Sequence, residues 1–93
     1  MPFVLECLDK PDSLDLRLAN RPAHLAHVEA VADRVIAAGP FLGEDGKPVG
    51  SLLVMDFATR EEAERFAAED PYAKAGLFAS VSIRPWVKVF PKT

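Results

Sequence analysis

The sequence predicts an α+β fold in which one antiparallel sheet carries two helices on a single face. Three observations predict it. Four short segments are rich in strand formers, two longer ones repeat apolar residues at helical spacing, and they follow one another in the order β-α-β-β-α-β. The turns between them are brief and built from Gly, Pro, Asn and Asp. Finally, the strand segments are apolar on both faces, more than two helices can cover.

Phe3 to Leu8 reads as the first strand, closed by the turn Asp9-Lys10-Pro11-Asp12. Ser13 is placed to cap a first helical turn from Leu14 to Ala19. Asn20-Arg21-Pro22 then offers a fresh N-cap with proline in the opening turn, where a missing N–H is harmless. One helix kinked at Pro22 and two short helices are both compatible with this pattern. The helix is expected to run on through His24, Val28, Ala32, Val35 and Ile36 and to stop at Ala38-Gly39-Pro40. A short second strand from Phe41 to Glu44, a turn at Asp45-Gly46-Lys47-Pro48 and a third strand from Val49 to Phe57 follow. Thr59-Arg60-Glu61-Glu62 has the form of a capping box and opens a second helix that reaches about Glu69. Asp70-Pro71-Tyr72 ends it, because the residue before proline is driven out of helical geometry. Ala73 to Phe78 is a connector, and Ser80 to Phe90 the last strand, with Pro85 pointing to an edge position or a bulge.

This order is that of the ferredoxin-like split βαβ unit. In the third strand Leu52, Leu53, Val54 and Met55 are consecutive. The last presents Val81, Ile83, Val87 and Val89 on one side and Trp86 and Phe90 on the other. With both helices on one face, the simplest cover for the other is a second copy packed sheet against sheet, so a homodimer through the sheet face is expected.

The 93 residues suit a single domain, 1–93, which buries only about two-thirds of the surface its unfolded chain exposes. A net charge of −3 gives no footprint for a phosphate backbone, so nucleic acid is not an expected partner. The single Cys7 allows no internal disulfide and suits a reducing compartment. No apolar run approaches the roughly 20 residues that span a bilayer, and the N-terminus lacks the basic region of a signal peptide. The expectation is a cytoplasmic protein without a membrane partner.

Helical phase singles out a site. In the first helix Val28, Ala32 and Val35 form the expected inward stripe; His24 and Arg21 extend it backwards, as does Arg17 if the helix is continuous, and His27 falls to the flank. In the second, Ala63, Phe66 and Ala67 face inward and Asp70 is next on that stripe. The fold brings the start of the first helix, the end of the second and the hairpin carrying Gly46, Gly50 and Ser51 to one edge of the sheet. His24 and Asp70 are therefore the candidate catalytic pair, with Arg17, Arg21, Gly50, Ser51 and Tyr72 as candidate substrate contacts. A histidine titrates nearest neutrality, and a carboxylate fixes its tautomer. An arginine suits an anionic substrate, and Ser51 or N–H groups near Gly50 suit an oxyanion. A structural ion pair joining two helix ends is the alternative role for His24 and Asp70. His24 and His27, two histidines without a clear third ligand, do not make a metal site, and Gly46 and Gly50 match no phosphate loop.

Arg21-Pro22-Ala23-His24-Leu25, Ala38-Gly39-Pro40, Asp45-Gly46 with Gly50-Ser51, Asp70-Pro71-Tyr72 with Ala75-Gly76-Leu77, and Arg84-Pro85-Trp86 together resemble the YciI-like, or YCII-related, family over nearly the whole chain. The resemblance implies a ferredoxin-like subunit of a dimeric α+β barrel. It also implies an active-site pair at His24 and Asp70, and kinship with cofactor-free dehydrochlorinases of chlorinated hydroquinones.

The leading expectation is thus a cofactor-independent lyase, isomerase or hydrolase using His24 and Asp70 on a small polar or aromatic metabolite. A ligand-binding or regulatory dimer without turnover is the alternative. A haem-type or oxygen-dependent monooxygenase is a third reading, with no evident axial ligand to support it.

Overall fold

Phe3, Leu5 and Cys7 alternate with Val4, Glu6 and Leu8, and this period of two decides which side of the first strand is core. In the computed structural model, which describes residues 1–92, β1 (Pro2–Asp9) lies inside a four-stranded antiparallel sheet. It is followed by α1 (Leu14–Glu29), a single 3₁₀ turn (Ala32–Arg34), β2 (Val35–Leu42), β3 (Pro48–Asp56), α2 (Arg60–Glu69), the short α3 (Pro71–Lys74) and β4 (Phe78–Pro85). The sheet order is β2-β3-β1-β4, the ferredoxin-like arrangement, with β2 and β4 at the edges.

The register pairs Leu5 with Leu53 and with Ile83, and Phe3 with Met55, so inward side chains of neighbouring strands stand side by side. Ala63, Phe66 and Ala67 of α2 close over them, completing a core with Cys7 and Phe57. Burying a side chain such as Leu5, Leu53 or Met55 is worth about 1.5–3 kcal/mol. The Thr59 hydroxyl accepts from the Glu62 N–H and fixes the start of α2. Val28 of α1 and Val31 just after it pack against this core, while the N-terminal half of the helix stands over β2 and β3 and leaves a cleft.

The opposite face of the sheet is a shallow groove bordered by Val4, Phe41, Leu52, Val54 and Trp86, with Glu6 and Arg84 among them. Both faces are thus rich in apolar side chains, as the strand sequences predicted. Among the described residues no helix is long and apolar enough to cross a membrane.

Several boundaries differ from expectation. The first helix ends at Glu29 rather than near Ala38, and Val35 to Leu42 form β2. The β-branched Val35 and Ile36 suit a strand, and an edge strand accommodates Gly39-Pro40, which otherwise read as a helix stop. Ala32 and Val35 therefore belong to no helical stripe. Pro22 neither separates two helices nor follows a cap: α1 is one helix through it, and the Asn20 side chain donates to the Leu16 carbonyl. The connector after Pro71 contains α3, and β4 begins at Phe78 and ends at Pro85, so Val87, Val89 and Phe90 lie beyond the sheet and are exposed.

Gly46, at φ +80°, makes the hairpin turn between β2 and β3. Gly50 has a different reason to be glycine: an added methyl would stand 2.6 Å from the Cys7 carbonyl oxygen of the neighbouring strand. Gly50→Ala is expected to destabilise the fold by about 1–3 kcal/mol, read as a lowered urea midpoint. An unchanged midpoint would show that β1 and β3 yield there.

Candidate functional site

β1 keeps its inward phase to its last residue, so Asp9 follows Phe3, Leu5 and Cys7 to the helix side of the sheet. Ser51 does the same on β3, in phase with Leu53 and Met55. One turn into α1, Arg17 points down between them and is only 4% exposed. Its Nε donates to Asp9 Oδ2 at 2.7 Å and its Nη2 to Asp9 Oδ1 at 3.0 Å, a two-pronged, buried pair. The same Nη2 donates to Ser51 Oγ at 2.8 Å.

Two turns further along α1, His24 meets Asp70 at the junction of α2 and α3. The imidazole Nδ1 lies 3.0 and 2.9 Å from the two carboxylate oxygens. Asp70 Oδ1 also accepts the Tyr72 N–H at 2.9 Å, so the carboxylate caps α3 while it holds the histidine. A carboxylate only accepts, so Nδ1 carries the proton and the lone pair of neutral His24 is on Nε2.

Tyr72 joins the two pairs. Its ring stacks on His24, with centroids 4.2 Å apart and planes 16° from parallel, and the Arg17 guanidinium carbon lies 4.5 Å from its centre. Burial pushes the Tyr72 phenol up, against the lowering charge of Arg17 and Arg21. For Arg17, burial pulls the guanidinium down, but the hydrogen bond and charge of Asp9 outweigh it and the net direction is up.

These side chains line a cavity of about 170 Å³ between α1 and the β2–β3 hairpin. Arg17, Arg21, His24, Ser51 and Tyr72 supply its polar groups. Leu25, Val28, Pro40 and Leu53 supply apolar wall. The structure thus brings together six of the seven residues singled out in the sequence, Asp70 standing directly behind His24. Gly50 is outside the lining, and its close approach to β1 explains it instead. Arg17 is no solvated charge of an exposed turn, whereas Arg21 is exposed at the rim and belongs to no ion pair among the described residues. His27 is directed away: its Nε2 donates to the Phe66 carbonyl at 3.0 Å and its ring stacks on Phe66, tying α1 to α2. Sequence reasoning placed Asp9 in a turn, although continuing the alternation of β1 by one step would have turned it inward.

Comparisons with known proteins agree on the family. The family model of the YCII-related domain matches residues 1–87. A protein named YciI from Escherichia coli O6:H1 is 39% identical, the match covering 97% of this chain and 100% of that one. The solved 5-chloro-2-hydroxyhydroquinone dehydrochlorinase of Burkholderia phenoliruptrix AC1100, in complex with 2,5-dihydroxybenzoquinone, is 36% identical, with a TM-score of 0.89 over 94% of each chain. An antibiotic biosynthesis monooxygenase from Bacteriodes thetaiotaomicron, at 11% identity and a TM-score of 0.59 over 100% of this chain and 92% of that one, shares the fold.

Cys7, next to the Arg17 layer, is buried, and that burial pushes its thiol from the ordinary 9.0 to about 12. Below pH 9 both folded and unfolded chains keep the proton, and the favourable contribution is complete. Between about 9 and 12 the unfolded thiol ionises first, so stability falls as pH rises. The raised Tyr72 phenol acts in the same direction above its ordinary 10.0. Urea midpoints are therefore expected to drop from pH 9 to 11, less steeply for Cys7→Ala; a midpoint that climbs over this range contradicts the assignment.

Proposed function

The chain belongs to the YCII-related domain family, and from that premise we propose that it is a cofactor-independent enzyme moving a proton on a small polar or aromatic metabolite. His24 is its acid–base group and Asp70 the partner that orients it. One observation carries this reading: the His24 Nδ1 is clamped at 2.9 and 3.0 Å by a carboxylate that is only 2% exposed, at the wall of a cavity. Such a clamp leaves Nε2 as the base and compensates the imidazolium that forms when it takes a proton. The charge never has to be solvated by bulk water.

The likeness to a dehydrochlorinase solved with a dihydroxybenzoquinone supports a ring-sized ligand and an elimination or isomerisation step, both begun by proton removal. The apolar wall of Leu25, Val28 and Leu53 suits the flat face of such a ring, and Arg21 at the rim suits its negative charge. Proton transfer of this kind asks for a base and an oxyanion partner and for no bound cofactor. The lone thiol of Cys7 suits the cytoplasm.

We also propose that the protein works as a homodimer through the open sheet face. The groove of Val4, Phe41, Leu52, Val54 and Trp86 supports it, and Glu6 and Arg84 supply opposite charges that two copies related by a two-fold axis can exchange.

In D2O, the wild-type protein is expected to speed hydrogen exchange of at least some members of a panel of enolisable ketones and phenols, followed by proton NMR. His24→Ala should lose about 100-fold or more of that rate while keeping the native far-UV spectrum. Exchange that persists in a folded His24→Ala protein would falsify the role of His24. For the dimer, Val4→Arg places a charge in the groove and is expected to halve the mass seen by light scattering. An unchanged mass removes the sheet face as the interface.

A further inference from the structure

We infer that the buried Asp9–Arg17 pair fixes Ser51 as a hydrogen-bond donor into the cavity, so that the site selects a molecule with an acceptor oxygen beside the hydrogen that His24 removes. This deepens the acid–base reading and rests on it.

A guanidinium carries donors and no acceptor, so in the 2.8 Å contact from Arg17 Nη2 the Ser51 oxygen must accept. The Ser51 hydroxyl hydrogen is then left over. Among the described residues no acceptor takes it, and Ser51 is 4% exposed and lines the cavity. An unanswered buried donor is unfavourable, and a ligand oxygen answers it. Arg17 itself is not the anion clamp its position on the helix suggested. Nε and both hydrogens of Nη2 are engaged, and its charge is answered by Asp9. Asp9 lies outside the cavity lining, so it acts only through Arg17 and is a positioning residue.

The cavity wall therefore includes an acceptor, His24 Nε2, and a preset donor, the Ser51 hydroxyl. Their complement is a C–H or O–H acid with an oxygen on the neighbouring carbon: an enolisable hydroxy-ketone or an ortho-dioxygenated phenol. In the step, the acid's C–H or O–H bond breaks and its proton bonds to Nε2. For a C–H acid the electron pair moves through the carbon onto the neighbouring carbonyl oxygen, which accepts from Ser51; for a phenol the pair stays on the ionised oxygen while the neighbouring oxygen accepts from Ser51. Return of the proton to the same or a conjugated atom restores the neutral imidazole. No oxidant or reductant enters.

The test compares two coloured phenols, 4-nitrocatechol, which has the adjacent oxygen, and 4-nitrophenol, which lacks it, by visible difference spectra. Wild type is expected to bind 4-nitrocatechol about tenfold more tightly. Ser51→Ala should abolish that preference with 4-nitrophenol affinity unchanged, and Asp9→Asn should reduce it. A purely structural role of Asp9 would weaken both probes alike and overturns its part in the proposal. Equal binding by wild type, a preference that survives in Ser51→Ala, or no binding of either phenol overturns the inference. Nitrogen-15 NMR of His24 separates the two levels. A protonated Nδ1 with no preference for the catechol removes the Ser51 inference alone. An unprotonated Nδ1 removes the acid–base reading with it.

Discussion

Two carboxylates, Asp9 and Asp70, are buried on the helix side of a sheet in a chain too short to bury charge freely, and each must be answered within a few ångströms. Arg17 answers the first and His24 the second, and both answering side chains come from one face of α1. Tyr72 touches both, stacked on the imidazole and lying under the guanidinium. The position of α1 over the sheet follows from this arrangement. The helix contributes Val28 to the core near its C-terminal end, and Val31 joins it just beyond. Towards its N-terminus it is held by polar contacts, which leave the space between it and β2–β3 open. A helix held by apolar packing along its whole length would have closed that cavity.

Those two pairs differ in kind. Asp9 and Arg17 are joined by two hydrogen bonds, and the guanidinium is driven further up by its partner. Removing either member would leave an uncompensated buried ion, so the pair behaves as a fixed strut. In the other pair the carboxylate of Asp70 faces the His24 Nδ1 and accepts the Tyr72 backbone N–H in addition, which keeps the carboxylate still. On the proposed acid–base reading, the first pair holds geometry and the second moves the proton, with one aromatic ring shared between them.

Much of this arrangement was legible in the sequence, and the residues themselves say why. His24 and Asp70 stood out because each is polar at a position where helical phase demands an inward side chain, and β-α-β-β-α-β topology puts the two helix ends at one edge. Arg17 was visible by the same phase, but its partner was not, since Asp9 sits beside Lys10-Pro11-Asp12 and reads as turn. The second strand was placed too late, at Phe41 to Glu44 instead of Val35 to Leu42, for a related reason. Gly39-Pro40 is a strong stop signal for a helix, and only the knowledge that β2 lies at a sheet edge makes a proline there acceptable. In both cases a turn or stop signal outweighed the strand signal beside it, and the long-range pairing that decides between them is absent from a single segment. Gly50 shows the converse: its glycine is dictated by a neighbouring strand 43 positions away, from Cys7 to Gly50, and no local motif records that.

Charge accounting at the cavity explains why proton transfer suits this constellation better than anion storage. With His24 neutral, the buried groups are two carboxylates and one guanidinium, and the nearest unpaired cation, Arg21, stands at the exposed rim. A ligand that arrives already carrying a full charge in the depth of the cavity meets Asp70 without compensation. One that arrives neutral and gives its proton to His24 creates an imidazolium and an anion together, side by side, with Asp70 behind the first and the Ser51 hydroxyl before the second. The total charge of the pocket is then the same before and after the step. In a poorly hydrated space, where each unbalanced charge is expensive, such a step is favoured over the binding of a preformed anion.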